Sequence, residues 1–197
     1  MTAINPQIYE YLADLLEYPE TGWSARLEAC RRLIAAEHAD AALDFLRFYR
    51  NIAPLTLSGL QELYTQTFDL NPVCTLEIGY HLFGENYKRG ELLANLRETE
   101  SPYSIGQQNQ LPDYLPVLLR LIVRLTDEEL CLSLISDCML PALARMNEEM
   151  SKGANPYGDL LKAVRGALIE EAPESETVPA GWERANTELY RISSGAR

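Results

Sequence analysis

Apolar residues recur every three to four positions along most of this chain, the spacing that lines one face of an α-helix. Ile8, Leu12, Leu15 and Leu16 begin the pattern, and Pro19, Thr21 and Gly22 end its first run. Two further amphipathic stretches follow, from about Ser24 to His38 and from about Asp40 to Ile52, the second closed by Pro54. Ser58-Gly-Leu-Gln61 has the spacing of a capping box and predicts a helix to about Asp69, stopped by Asn71-Pro72. A short helix from Thr75 to Phe83 comes next, with Gly84 as its left-handed terminator, and another covers Glu85 to Thr99.

The segment from Thr99 to Leu111, TESPYSIGQQNQL, has no periodicity. Connections of this length are uncommon in compact domains and are usually functional or disordered. It is also a plausible hinge for a helix-exchanged dimer, so monomer and dimer both stay open. It leads into an apolar helix from Pro112 to Leu125, a pattern that places a helix at the centre of a fold. Thr126-Asp-Glu-Glu129 forms a second capping box, opening a long stretch to Met150 that Pro141 should kink or split. Asn155-Pro156 starts a last helix ending near Glu171. The pattern predicts an all-α fold, a single-domain helical bundle over residues 1–172. Residues 173–197, polar and nearly aperiodic, read as a loosely ordered tail in which Trp182, Leu189 and Tyr190 could dock locally.

Composition narrows the function classes. Lys and Arg total 17 against 29 Asp and Glu, a formal net charge of −12. Such a chain is repelled by nucleic-acid phosphates and anionic membranes and attracts cationic partners, which argues against a nucleic-acid binder and leaves basic peptides open. The first basic residue is Arg26, so the n-region of a secretory leader is missing, and no apolar run approaches the roughly 18 residues of a membrane helix. The expected location is the cytoplasm, without membrane insertion. Cys30, Cys74, Cys131 and Cys138 form no Cys-x-x-Cys pair and read as buried small hydrophobes.

Catalytic patterns are scarce. Phosphate-binding and dinucleotide-binding glycine loops and a nucleophile elbow are all missing from the sequence, and His38 and His81 are its two histidines. Glu77, His81 and Glu85 fall at i, i+4 and i+8, where an unbroken helix could offer metal ligands, but Gly79 and Gly84 interrupt that geometry. The chain reads as a non-enzyme with no bound cofactor or metal. A metal-dependent helical enzyme and a generic helical interaction scaffold are the alternatives.

Two blocks add a family resemblance. LQELYTQTFDLNPVCTLEIGYHLFGENYKRGELL (Leu60–Leu93) and QLPDYLPVLLRLI (Gln110–Ile122) resemble the NarJ-type molybdoenzyme assembly chaperones, the nitrate reductase delta-subunit family. These are similar to the wider TorD/DmsD group of redox-enzyme maturation proteins. The order Tyr-x-x-x-Phe-Asp, His-x-x-Gly, Arg-Gly and Leu-Pro-Asp carries the likeness, and Tyr18-Pro19 fits it too. The family often has Glu-Leu-Pro-Asp-His with an acidic residue later in the helix, whereas this chain has Gln110, Tyr114 and Arg120.

The resemblance implies a cytoplasmic all-helical chaperone for the catalytic subunit of a membrane-associated molybdoenzyme. It would bind that subunit's N-terminal region, a twin-arginine leader or a relic of one, until the molybdenum cofactor is inserted. An acidic receptor with an apolar groove suits such a basic, apolar segment. Asp69, Glu85 and Asp113 are the candidate carboxylates for its arginines. Tyr64, Phe68, Tyr80, Tyr114 and Leu118 are the candidate groove residues. Core packing for Tyr64, Phe68 and Leu118, helix capping for Asp69 and Asp113, and a local structural role for Arg89 and Gly90 are the competing readings.

Overall fold

A computed structural model describes residues 4–70, 74–105 and 110–172. The predicted tail, 173–197, lies outside these described residues, as do Asn71-Pro72 and the middle of the Thr99–Leu111 connection. The amphipathic stretches become helices: α1 (Pro6–Leu15), α2 (Trp23–Glu37), α3 (Ala39–Ile52), α4 (Leu57–Tyr64), α5 (Ile78–Phe83) and α6 (Tyr87–Glu100). They continue as α7 (Leu115–Ile122), α8 (Glu128–Ser133), α9 (Leu140–Met150) and α10 (Tyr157–Glu171). Among the described residues no extended strand occurs, and the fold is all-α.

Helix α1 packs between α2 and α7, while α3 lies against α2 and α10, and α10 also meets α9. Helix α7 buries Leu115, Pro116, Val117, Leu118, Leu119, Leu121 and Ile122, the centre that its near-continuous apolarity predicted. A chain of aromatic rings runs through the bundle from Trp23 to Phe48, Tyr157 and Phe68, with neighbouring centroids 6.3, 5.8 and 5.0 Å apart. Tyr64 joins that chain, 5.0 Å from Phe68 and 6.0 Å from Tyr157. All four cysteines are buried, and desolvation pushes the Cys74 and Cys138 thiols up to about 12 and Cys131 to about 11. Among the described residues no helix is long and apolar enough to cross a membrane.

Several element ends differ from the sequence reading. Helix α4 is capped by Thr56, whose hydroxyl accepts from the Gly59 amide at 3.2 Å, not by Ser58, which lies inside the helix. Gln61, the other half of the predicted box, donates instead to the Pro19 carbonyl at 2.9 Å. Thr56→Ala is therefore expected to cost about 1 kcal/mol in urea unfolding and Ser58→Ala a few tenths at most. The second box shifts by one residue, since Asp127 accepts from the Leu130 amide at 3.0 Å.

Helix α5 starts at Ile78 rather than Thr75, and α7 at Leu115 rather than Pro112. Each loses its first turn to the same cause. Residues 76–78 and 113–115 pair as a short antiparallel bridge, with Ile78 N donating to Asp113 O at 2.9 Å and Leu115 N to Leu76 O at 2.8 Å. Gly84 ends α5 at a positive φ of 59°, but its ψ of −132° lies outside the left-handed helical region that the sequence reading expected. The long stretch divides just ahead of Pro141, which falls in the first turn of α9. The preceding turn, Leu134–Met139, widens to π spacing, which relieves the clash of the proline ring with the carbonyl four residues back.

Candidate functional site

The residues after α4 also take π spacing, over Thr65–Asp69. Thr67 locks this turn: its hydroxyl donates to Leu63 O and accepts from Asn155 Nδ2, both at 2.7 Å. Asn155 uses its side-chain oxygen on the Tyr157 amide at 3.0 Å, so one residue ties the turn to the start of α10. The wide turn keeps the Tyr64 and Phe68 rings together and leaves Asp69 at the surface.

Tyr64 and Tyr114 meet at a shared acceptor. Their hydroxyls lie 3.3 Å apart and each is 3.4 Å from the Leu16 carbonyl. Burial raises the pKa of both phenols, so both stay protonated at neutral pH. Around them opens a cleft of about 460 Å³ lined by Asp14, Glu17, Tyr18, Glu20, Arg26, Tyr64, Asp69, Gln110 and Tyr114. Three of the predicted residues thus converge. Tyr18, Glu17 and Glu20 were not among the candidates, although Tyr18-Pro19 was part of the resemblance; nothing in their spacing reveals that α1 ends opposite α4 and Tyr114.

Arg120 stands where the family often has an acid, and the structure explains what it does. Its guanidinium reaches Glu10 at 3.4 Å and Asp14 at 2.7 Å on α1, and Glu17 at 2.8 Å just beyond its end. Burial opposes the Arg120 charge, but hydrogen bonds and charges from Glu17 and Asp14 outweigh it and hold the pKa above its ordinary value. Arg120 therefore ties α7 to α1.

A second cleft, about 770 Å³, lies between α5, α6 and α9 and is lined by Cys74, Thr75, Glu77, Tyr80, His81, Arg89, Arg145, Glu148 and Glu149. Tyr80 is half exposed there, with the Arg89 guanidinium 5.9 Å from its ring centre. Glu85 is exposed and lines neither cleft. His81 Nε2 lies 2.8 Å from the Thr75 carbonyl, and burial lowers its pKa. Among the described residues no group of three or more His, Cys, Asp or Glu is placed to hold a metal ion, so Glu77, His81 and Glu85 do not converge.

Two candidates prove to be inside the protein. Leu118 has no exposed surface and packs in the core, so it lines no groove. Asp113 has none either: Arg89 Nε donates to its Oδ2 at 3.0 Å, and a Cβ on Gly79 would stand 2.6 Å from that oxygen. The Asp113 carboxylate is thus the partner of an internal arginine, and no surface is left for an external one. Burial raises its pKa, against the pull of Arg89, and burial likewise raises that of Glu77.

A carboxylate whose folded pKa lies above its unfolded one binds its proton more tightly when folded. Its contribution is complete below the unfolded value of about 4 and is lost as pH rises through the folded value. The melting temperature of the native chain should therefore fall more between pH 4.5 and pH 7 than that of Asp113→Asn. Parallel curves for the two proteins would remove Asp113 as a source of the slope.

Comparisons with known proteins point to one kind of relative. No family model matches the chain. A Bacillus subtilis (strain 168) protein, the probable nitrate reductase molybdenum cofactor assembly chaperone NarJ, is 27% identical over 171 residues, covering 85% of this chain and 92% of that protein. The Escherichia coli (strain K12) nitrate reductase molybdenum cofactor assembly chaperone NarJ is 28% identical over 196 residues, 89% of this chain and 82% of its own. NarW of the same strain, a probable chaperone of that kind, is 26% identical over 187 residues, 92% and 75% of the two chains. The chain is similar over most of its length to these NarJ-type assembly chaperones. Where the chain departs from the pattern of the resemblance, Tyr114 and Arg120 are built parts of the fold, the first bonded to Leu16 and the second to α1.

Proposed function

We propose that this chain is an assembly chaperone in molybdoenzyme maturation, rather than a catalyst. It acts in the cytoplasm on the catalytic subunit of a nitrate-reductase-like enzyme. It binds the N-terminal region of that subunit, a basic and apolar segment of the twin-arginine leader type or its relic, while the molybdenum cofactor is inserted and before membrane attachment. Likeness to named assembly chaperones over 85–92% of the chain supports the role. The observation that carries the binding site is the cleft shared by the two resemblance blocks, where Tyr64 and Asp69 of one meet Gln110 and Tyr114 of the other. Its acidic rim and tyrosine walls complement a cationic, amphipathic segment. Tyr80, in the neighbouring cleft, extends the same surface, with Glu85 exposed beside it.

Deleting the gene for this chain should leave its partner catalytic subunit with little molybdenum, measured by metal analysis of the purified subunit. A subunit from the deletion strain with full molybdenum content would overturn the reading.

A further inference from the structure

Asn155, between α9 and α10, and Thr67 form a hydrogen-bond relay whose direction is fixed by chemistry. The Tyr157 amide can only donate, so the Asn155 atom facing it at 3.0 Å is the side-chain oxygen. That leaves the amide nitrogen of Asn155 to donate to Thr67 Oγ1 at 2.7 Å. The hydroxyl, accepting there, sends its single proton to the Leu63 carbonyl, also at 2.7 Å. Thr67 is 1% exposed, so the relay runs inside the protein. It ends on the carbonyl to which the Thr67 amide would bond at α spacing, four residues back, and it competes with that bond. The backbone here reaches five residues back instead, as from Leu70 N to Thr65 O at 2.9 Å. Such wide turns are uncommon and concentrate at functional sites. A return to α spacing would rotate whatever follows the turn by roughly 100° relative to what precedes it. Tyr64 precedes the turn and Asp69 ends it, so that rotation would part Phe68 from Tyr64 and carry Asp69 off the cleft.

We propose that Asn155, which lines neither cleft, is a positioning residue for recognition at the smaller one. Its donation to Thr67 keeps Thr65–Asp69 at π spacing, and that spacing presents Asp69 to a bound partner while Phe68 stays against Tyr64. A residue 88 positions from Thr67 in the sequence thereby sets the shape of the cleft wall. This rests on the reading of the cleft as the partner-binding face, whereas the state of the turn does not.

The decisive variant is Asn155→Asp in the full chain. A carboxylate still accepts from the Tyr157 amide, but it cannot donate to Thr67. The one proton of the hydroxyl then turns to the carboxylate and leaves Leu63. Thr67→Val removes the hydroxyl altogether, and Thr67→Ser keeps it. NMR follows the Tyr64 ring signals, identified by comparison with Tyr64→Phe. Calorimetry follows binding of a synthetic peptide covering the N-terminal region of a nitrate-reductase-like catalytic subunit. Asn155→Asp and Thr67→Val should both move the Tyr64 signals and weaken binding on the order of tenfold, as expected on losing a charge-assisted contact at Asp69. Thr67→Ser should match the native chain in both respects. Because Asn155 acts through Asp69, Asp69→Asn should cost almost nothing further in the Asn155→Asp background. A merely structural defect would instead add to it. Unmoved Tyr64 signals in both variants, or losses from Asn155→Asp and Asp69→Asn that simply add, overturn the proposal. If the native chain does not bind the peptide, the chaperone reading falls, and the ring signals still decide whether Asn155 holds the turn.

Discussion

Arg89→Ala is expected to destabilise the protein by about 2–3 kcal/mol, somewhat less than the roughly 3–5 kcal/mol typical of breaking a fully buried ion pair. The loss follows from what remains behind. Asp113 is wholly enclosed, and Arg89 is the cation on its Oδ2, so the substitution leaves a buried carboxylate without a countercharge. The figure is reduced because Arg89 keeps 22% of its side chain in solvent and because Asp113 can escape by taking up a proton, which its raised pKa already favours. Urea unfolding at pH 7 and pH 5 checks both parts. The cost should shrink at pH 5, where protonation of Asp113 is easier. An unfolding midpoint at pH 7 equal to that of the native chain would contradict the account. The pair also shapes the surface, since Asp113 is fixed in the bridge beside Tyr114, and Arg89 lies near Tyr80. Arg89→Ala should therefore disturb both clefts together.

Leu118→Ala is the second large effect. Leu118 is fully buried in α7 among the buried Leu115, Val117, Leu119, Leu121 and Ile122, so truncation removes apolar contact and leaves a cavity worth about 2–5 kcal/mol. Measured per folded molecule, peptide binding should remain at the native level. A stable Leu118→Ala protein with lost binding would return this residue to the groove.

Helix identity was legible because burial on one face imposes a 3.6-residue period, and Ile8, Leu12 and Leu15 all fall in the core. The nearly all-apolar α7 was likewise readable as central. Helix ends were less so. Thr56 and Ser58 are both hydroxyl residues at plausible spacings, and only the backbone path decides which one meets a free amide. The lost first turns of α5 and α7 arise from the pairing of Glu77 with Tyr114, far apart in the sequence, which no local window contains.

The site divides in the same way. Tyr64, Asp69 and Tyr114 meet as the two sequence blocks implied, whereas Asp113 is claimed by Arg89, 24 residues away. An acid's sequence surroundings do not say which distant arginine it faces. Arg120 illustrates the converse: it departs from the family's acidic residue, yet Glu10, Asp14 and Glu17 absorb its charge. The cleft remains acidic at Glu20 and Asp69.

The most direct measurement is a calorimetric titration of the full chain with a synthetic peptide covering the N-terminal region of the proposed partner, a nitrate-reductase-like catalytic subunit, with a charge-reversed peptide as control. The account predicts saturable one-to-one binding of the native peptide, weakened by added salt and by Asp69→Asn, and no binding of the control. Absence of saturable heat with the native peptide, or equal binding of the two peptides, would contradict it.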